Sequence, residues 1–134
     1  MANRRFFQFR YSVQRDIVDL TLKASIAAAG APTLLNGPAP VISQSKGVAS
    51  IVRNSAGNYT ITLEDNYQAL MHACVTVQNA TATATPSSQV ISEQVSNATS
   101  PQVVIQMLDA AGAAADPDSG SSLMVHLMLR NAST

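Results

Sequence analysis

At 134 residues the chain fits one domain, long enough to bury about two-thirds of its unfolded surface around a single core. Hydrophobic residues make up 46% and charged residues only 12%, with a formal net charge of zero, which excludes a polyanion binder by bulk charge and a highly charged disordered chain. No run reaches the roughly 18 apolar residues that cross a bilayer, the opening MANRRFFQFRYSVQRD carries charges where a signal peptide is apolar, and the lone Cys74 leaves no disulfide framework, so the expectation is a soluble, non-secreted chain without a membrane partner.

The N-terminal segment stands apart. Residues 1–23 hold Arg4, Arg5, Arg10, Arg15 and Lys23 against Asp16 and Asp19, a balance of plus three that leaves minus three for the remainder. Phe6, Phe7, Phe9 and Tyr11 fall in the first eleven residues, and only Tyr59 and Tyr67 occur afterwards, so the main core is expected to be aliphatic. Each buried Phe is worth about 1.5 to 3 kcal/mol, so this segment is expected to dock, either as a first strand on its own sheet or as an arm on a neighbouring subunit. Residues 1–15 are therefore read as an arm or first strand, and 16–134 as a single β domain.

From Val18 to Ile26 apolar and polar residues alternate with period two, the pattern of a half-buried strand; Asp16 and Gly30 also fit the ends of a helix, but the unbroken alternation favours a strand. Ala31 to Lys46 holds Pro32, Pro38, Pro40, Asn36 and Gly37 and reads as a long loop. Residues 47–64 read as a hairpin turning at Ser55, Ala56, Gly57 and Asn58. Ala69 to Gln78 is rich in Val and Thr and reads as a longer strand with His72 and Cys74 on one face. From Asn79 to Ser100 the expectation is a loop, a weak edge strand at Val90 to Val95, and a loop. Residues 102–108 and 123–130 read as closing strands joined by a long, flexible connector of small residues. Seven to eight strands with few helix candidates give an all-β fold, an antiparallel β-sandwich or small barrel with an N-terminal arm.

Candidate chemistry is sparse. His72 and His126 lie in strand patterns without a zinc-ligand spacing and read as satisfied or exposed strand histidines. Cys74, two residues from His72, has no orienting acid or oxyanion donor in its vicinity and reads as a small buried thiol. Asp116, Asp118 and Gly120 in DPDSG faintly match a calcium loop, but the remaining ligands are missing and the segment reads as a turn. Glu64 and Asp65, adjacent and on opposite faces of any strand, read as a strand end. Glycan acceptor patterns at Asn58, Asn79, Asn97 and Asn131 read as products of a Thr- and Ser-rich chain. Arg4, Arg5 and Arg10 interleaved with phenylalanines have the ingredients of a base-stacking platform, but there is no basic stripe elsewhere, which argues against nucleic acid. No convergent acid, base and nucleophile emerges, so neither an enzyme nor a cofactor is expected.

Across FRYSVQRDIVDLTLKASIAAAGAPTL, SKGVASIVRNSAGNYTITLEDNYQAL and VVIQMLDAAGAAADPDSGSSLMVHLMLRNAST the chain resembles small auxiliary virion proteins of tailed bacteriophages. The tokens are GAPTL, SKGVASI, the RNSAGNYTITLED hairpin, and LDAAGAAADP leading to a last strand that ends in LRN; they are structural and supply no functional residue to carry over. The resemblance implies a capsid cement, decoration or head-fibre role in a virion assembled in the host cytoplasm. On that footing the expected partners are the major capsid protein and further copies of the chain, as a homotrimer. Arg4, Arg5, Phe6, Phe7, Phe9, Arg10 and Tyr11 are the expected interface: arginines against capsid carboxylates, rings in apolar grooves. A fibre or receptor-binding module, with loop 79–100 or 109–122 as its tip, is the alternative.

Overall fold

A computed structural model describes residues 17–35, 45, 47–80 and 87–131, and the structural statements below concern these. Eight strands occur in chain order: β1 (Ile17–Ile26), β2 (Pro32–Leu34), β3 (Val48–Ser55), β4 (Asn58–Leu63), β5 (Ala69–Gln78), β6 (Ser87–Gln94), β7 (Gln102–Leu108) and β8 (Ser122–Arg130). They form two four-stranded antiparallel sheets, ordered β2-β1-β8-β5 and β3-β4-β7-β6, an all-β sandwich as the alternation predicts.

The core comes from the inward residues of each strand. Leu20, Leu22, Ala24 and Ile26 of β1 and Leu123, Val125, Leu127 and Leu129 of β8 are buried from the first sheet. Val48, Ile51, Tyr59, Ile61, Leu63, Val103, Ile105 and Met107 meet them from the second, and Tyr67 and Val95 close the cluster from the connections. The expected aliphatic core is present, and Tyr59, fully buried, is the aromatic exception within a strand.

Two departures from plain alternation have local causes. In β3 a register shift between Val48 and Ser50 absorbs one extra residue, so Val48 and Ile51, three apart, both face the core. Part of the segment expected to be a loop is a strand: Pro32–Leu34 folds back on β1, pairing Ile26 with Pro32 and Ala24 with Leu34. Proline is tolerated because β2 is at the sheet edge, where its missing N–H faces no partner strand. Between β1 and β2 a single 3-10 turn, Ala28–Gly30, reverses the chain. The edge strand expected at residues 90–95 starts earlier, at Ser87.

The connector 109–121, expected to be flexible, is pinned along its length. Asp109 Oδ1 accepts the amides of Ala111 (2.8 Å) and Ala113 (2.9 Å). Ala114 bridges to Leu108, Ala115 N–H donates to the Met107 carbonyl, and Gly120 N–H donates to that of Ile26. Small side chains here let the connector lie flat across the end of the sandwich instead of leaving it loose.

Candidate functional site

The sequence-derived interface, Arg4, Arg5, Phe6, Phe7, Phe9, Arg10 and Tyr11, lies outside the described residues, as does the boundary at residues 15 and 16 between arm and domain. The described residues offer three other places where polar chemistry or unsatisfied surface is concentrated.

The first is an ion-paired clasp at the end of the sandwich. In the β3–β4 hairpin Arg53 stands opposite Tyr59, which puts it on the core-facing side of an edge strand. Its guanidinium meets Asp116 of the connector, with Nε 3.0 Å from both carboxylate oxygens and Nη2 2.7 Å from Oδ2. Asp116 Oδ1 also accepts the Gly57 amide at 2.8 Å. The Tyr59 hydroxyl lies 2.9 Å from Oδ1 and 3.1 Å from the Gly30 carbonyl oxygen, two acceptors for its single proton.

Hydrogen bonding from Arg53 holds the Asp116 carboxyl below its ordinary pKa, helped by the Gly57 amide and the Tyr59 hydroxyl and opposed by partial burial. Burial, followed by the hydrogen bond to Asp116, pushes the Tyr59 phenol well above its ordinary value. The Asp116 bond raises Arg53 in turn. With both Asp116 oxygens engaged by donors, the clasp is a structural fastening of hairpin, 3-10 turn and connector. The turn expected in DPDSG is present at its end, where the Ser121 N–H donates to the Asp118 carbonyl and Gly120 is left-handed, while the Asp116 side chain, in place of the faint calcium-loop likeness, reaches across the fold.

The second place is the outer face of the β2-β1-β8-β5 sheet. Thr21, Lys23, Cys74, Thr76, Met124 and His126 line an open depression of about 420 Å³. Cys74 is exposed, contrary to the buried thiol expected, because the period-two alternation of β5 aims it away from the core, opposite His126 in register. His126 Nε2 stands 3.2 Å from Asp19 Oδ1 across β1 and β8. His72 shares the exposed face.

A thiol, an imidazole and a carboxylate thus neighbour one another, the residue types of a nucleophilic triad. The backbone amides of β1 and β8 here lie in the plane of the sheet, directed to neighbouring strands and, at Lys23, to Ser45 Oγ at 3.2 Å. Among the described residues no three His, Cys, Asp or Glu side chains converge as a metal site, and no helix is long and apolar enough to cross a membrane.

The third place is the side of the sandwich bounded by β5 and β6. Each is the last strand of its sheet, ten and eight residues long. β5, ALMHACVTVQ, carries no Asp, Glu, Lys or Arg, and β6, SSQVISEQ, carries only Glu93. Every residue of β6 is exposed. Its register sets Ser88 and Val90 opposite the buried Met107 and Ile105, on the core side of the sheet, yet Val90 is 40% exposed and Ile91, in the adjoining register shift, 45%. Met71, at the register shift in β5, is also exposed. Edge strands are commonly shielded by charges, proline or a covering segment, and these two carry almost no charge.

No family model, no curated protein and no solved structure matches this chain.

Proposed function

We propose that this chain is a non-enzymatic structural protein of a tailed-phage virion, binding and stabilising the capsid as a cement or decoration protein. The observation that carries the reading is the occurrence, in one small β-sandwich, of two long, nearly uncharged edges together with an N-terminal segment that holds Arg4, Arg5 and Arg10 among Phe6, Phe7, Phe9 and Tyr11. Such a surface suits a molecule whose edges and greasy segments are covered in an assembly. The resemblance of the GAPTL, RNSAGNYTITLED and LDAAGAAADP segments to auxiliary virion proteins supports a virion as that assembly.

Cement action in this reading is mass-action linkage: a ligand that binds only the assembled lattice raises the free energy of taking it apart, summed over many sites. Arg4, Arg5 and Arg10 pair with capsid carboxylates, Phe6, Phe7 and Phe9 bury in apolar grooves, and a homotrimer presents several arms at once. The deciding experiment quantifies the polypeptide against the major shell protein in purified particles and assays binding of a chain lacking residues 2–10. Capsid-scale copy number, with binding lost and the domain still folded, supports the proposal; a few tens of copies point to a fibre module, and capsid saturation by the truncated chain removes the arm from the account.

A further inference from the structure

The alternation at the N-terminus goes beyond composition. Phe7, Phe9, Tyr11 and Val13 are separated by Gln8, Arg10 and Ser12, so residues 7–13 written as a strand have one wholly apolar face and one polar face. At the β5 edge the first sheet ends, and the core-side residues Leu70, Ala73, Val75 and Val77 of β5 are only partly buried. Across from that edge, β6 sets Ser88, Val90 and Glu93 opposite the buried Met107, Ile105 and Val103, so its core side carries one exposed apolar residue, Val90, between polar ones. A strand added beside β5 lies opposite β6. It covers the partly buried β5 row and Val90 at once, provided that the residues facing them are apolar and its outer ones polar.

We infer that residues 7–13 of one copy add as an antiparallel strand to the β5 edge of a second copy, with Phe7, Phe9, Tyr11 and Val13 facing β6. The inference rests on the proposed function's arm acting between polypeptides and revises its acceptor: Phe7, Phe9 and Arg10 dock on a neighbouring copy, which leaves Arg4, Arg5 and Phe6 for the capsid.

Chain reach selects the second copy over the chain's own edge. β1 and β5 are separated by β8, and Ile17 and Ala69 both pair with Arg130, so the arm leaves the sheet at the end where β5 begins. A strand beyond β5 is three strand spacings from β1, about 14 Å. The link from Val13 to Ile17 spans at most about 13 to 14 Å when fully taut. It would also have to pass the chain entering β5 at Gln68, whose amide donates to the Arg130 carbonyl, and then reverse direction. No slack remains for that reversal, whereas a neighbour's edge imposes no such limit.

The native Cys74 provides the test. It projects from the outer face of β5, so Gln8, Arg10 or Ser12 of an added strand falls beside it, at a cross-strand separation that a disulfide can bridge. Full-length Gln8→Cys, Arg10→Cys and Ser12→Cys chains are oxidised with glutathione disulfide and run on non-reducing gels, each beside the parent and beside the same variant carrying Cys74→Ala. Covalent dimers or higher species well above the parent level in at least one variant, lost with Cys74→Ala, are expected. A disulfide formed only within one chain overturns the exchange between copies, and no Cys74-dependent product in any variant overturns β5 as acceptor.

Light scattering of a Phe9→Asp chain, checked for native circular dichroism, is the second reading: loss of the oligomer is expected, and an unchanged oligomer counts against the inference. If cross-links are absent while deletion of residues 2–10 still abolishes capsid binding, the docking place falls and the proposed function stands. Cross-links with capsid binding intact after the deletion give the reverse.

Discussion

The carboxylate of Asp116 receives the guanidinium of Arg53 from 63 residues away and joins the end of an edge strand to the connector that leads into the last strand. Asp116 is four-fifths buried and accepts from three different groups. Its removal strands donors and frees the connector. Asp116→Ala is expected to destabilise the fold by about 1.5 to 3 kcal/mol in urea unfolding, the range for hydrogen bonds to a charged group. A double-mutant cycle with Arg53→Met is expected to show clear coupling. Additive single mutants would mean that the ion pair contributes nothing beyond its separate parts.

The same clasp sets a pH dependence at both ends. Asp116 titrates below its ordinary value, so its contribution is full above the unfolded carboxylate pKa of about 4 and is lost as pH falls through the depressed folded value. Tyr59 titrates above its ordinary value, so its contribution is full below the unfolded phenol pKa of about 10 and is lost as pH rises further. Chemical denaturation across pH is expected to show a shallower acid limb in Asp116→Asn and a shallower alkaline limb in Tyr59→Phe. Unchanged limbs would remove the clasp from the linkage.

Two glycines with left-handed backbone separate strain from crowding. Gly30 (φ +72°) and Gly112 (φ +81°) both lie in the region that side chains disfavour, but a Cβ on Gly30 would fall 2.3 Å from Asp116 Cγ, while one on Gly112 meets nothing within 4 Å. Gly112→Ala is expected to cost about 1 to 2 kcal/mol, the backbone term alone. Gly30→Ala should cost distinctly more and should lose much of that excess in an Asp116→Ala background, measured by thermal unfolding of the four chains.

Much of this architecture was legible in the sequence wherever one face of a strand is wet and the other dry. β1, β7 and β8 alternate between buried and exposed or part-exposed residues along most of their lengths, and the period-two pattern locates them. It was weaker where that contrast fails. β6 reads as polar because neither of its faces is covered, and β3 loses its alternation at the Ala49 irregularity. β2 exists only through pairing with β1 and has a proline at its start, so no local pattern marks it. The clasp was missed because its partners are far apart in sequence. Its one local signal is the register of the 47–64 hairpin, which sets Arg53 opposite Tyr59 and so on the core-facing side, where a charge requires a partner.

Cys74 is a native chemical probe of the β5 edge. The thiol is exposed on an edge strand and fills no part of the core, so Cys74→Ser is expected to change stability by less than about 0.5 kcal/mol, the usual range for surface positions. In the native protein it should react fully with a thiol reagent such as dithionitrobenzoate without denaturant. If a neighbouring arm lies along β5, the reaction should be slow in the oligomer, speed up on dilution toward monomer, and be fastest in a chain lacking residues 2–13. Equal rates in the full and truncated chains at every concentration would show that nothing shields this edge in solution, and the exposed row of β5 would then need another explanation for its lack of charge.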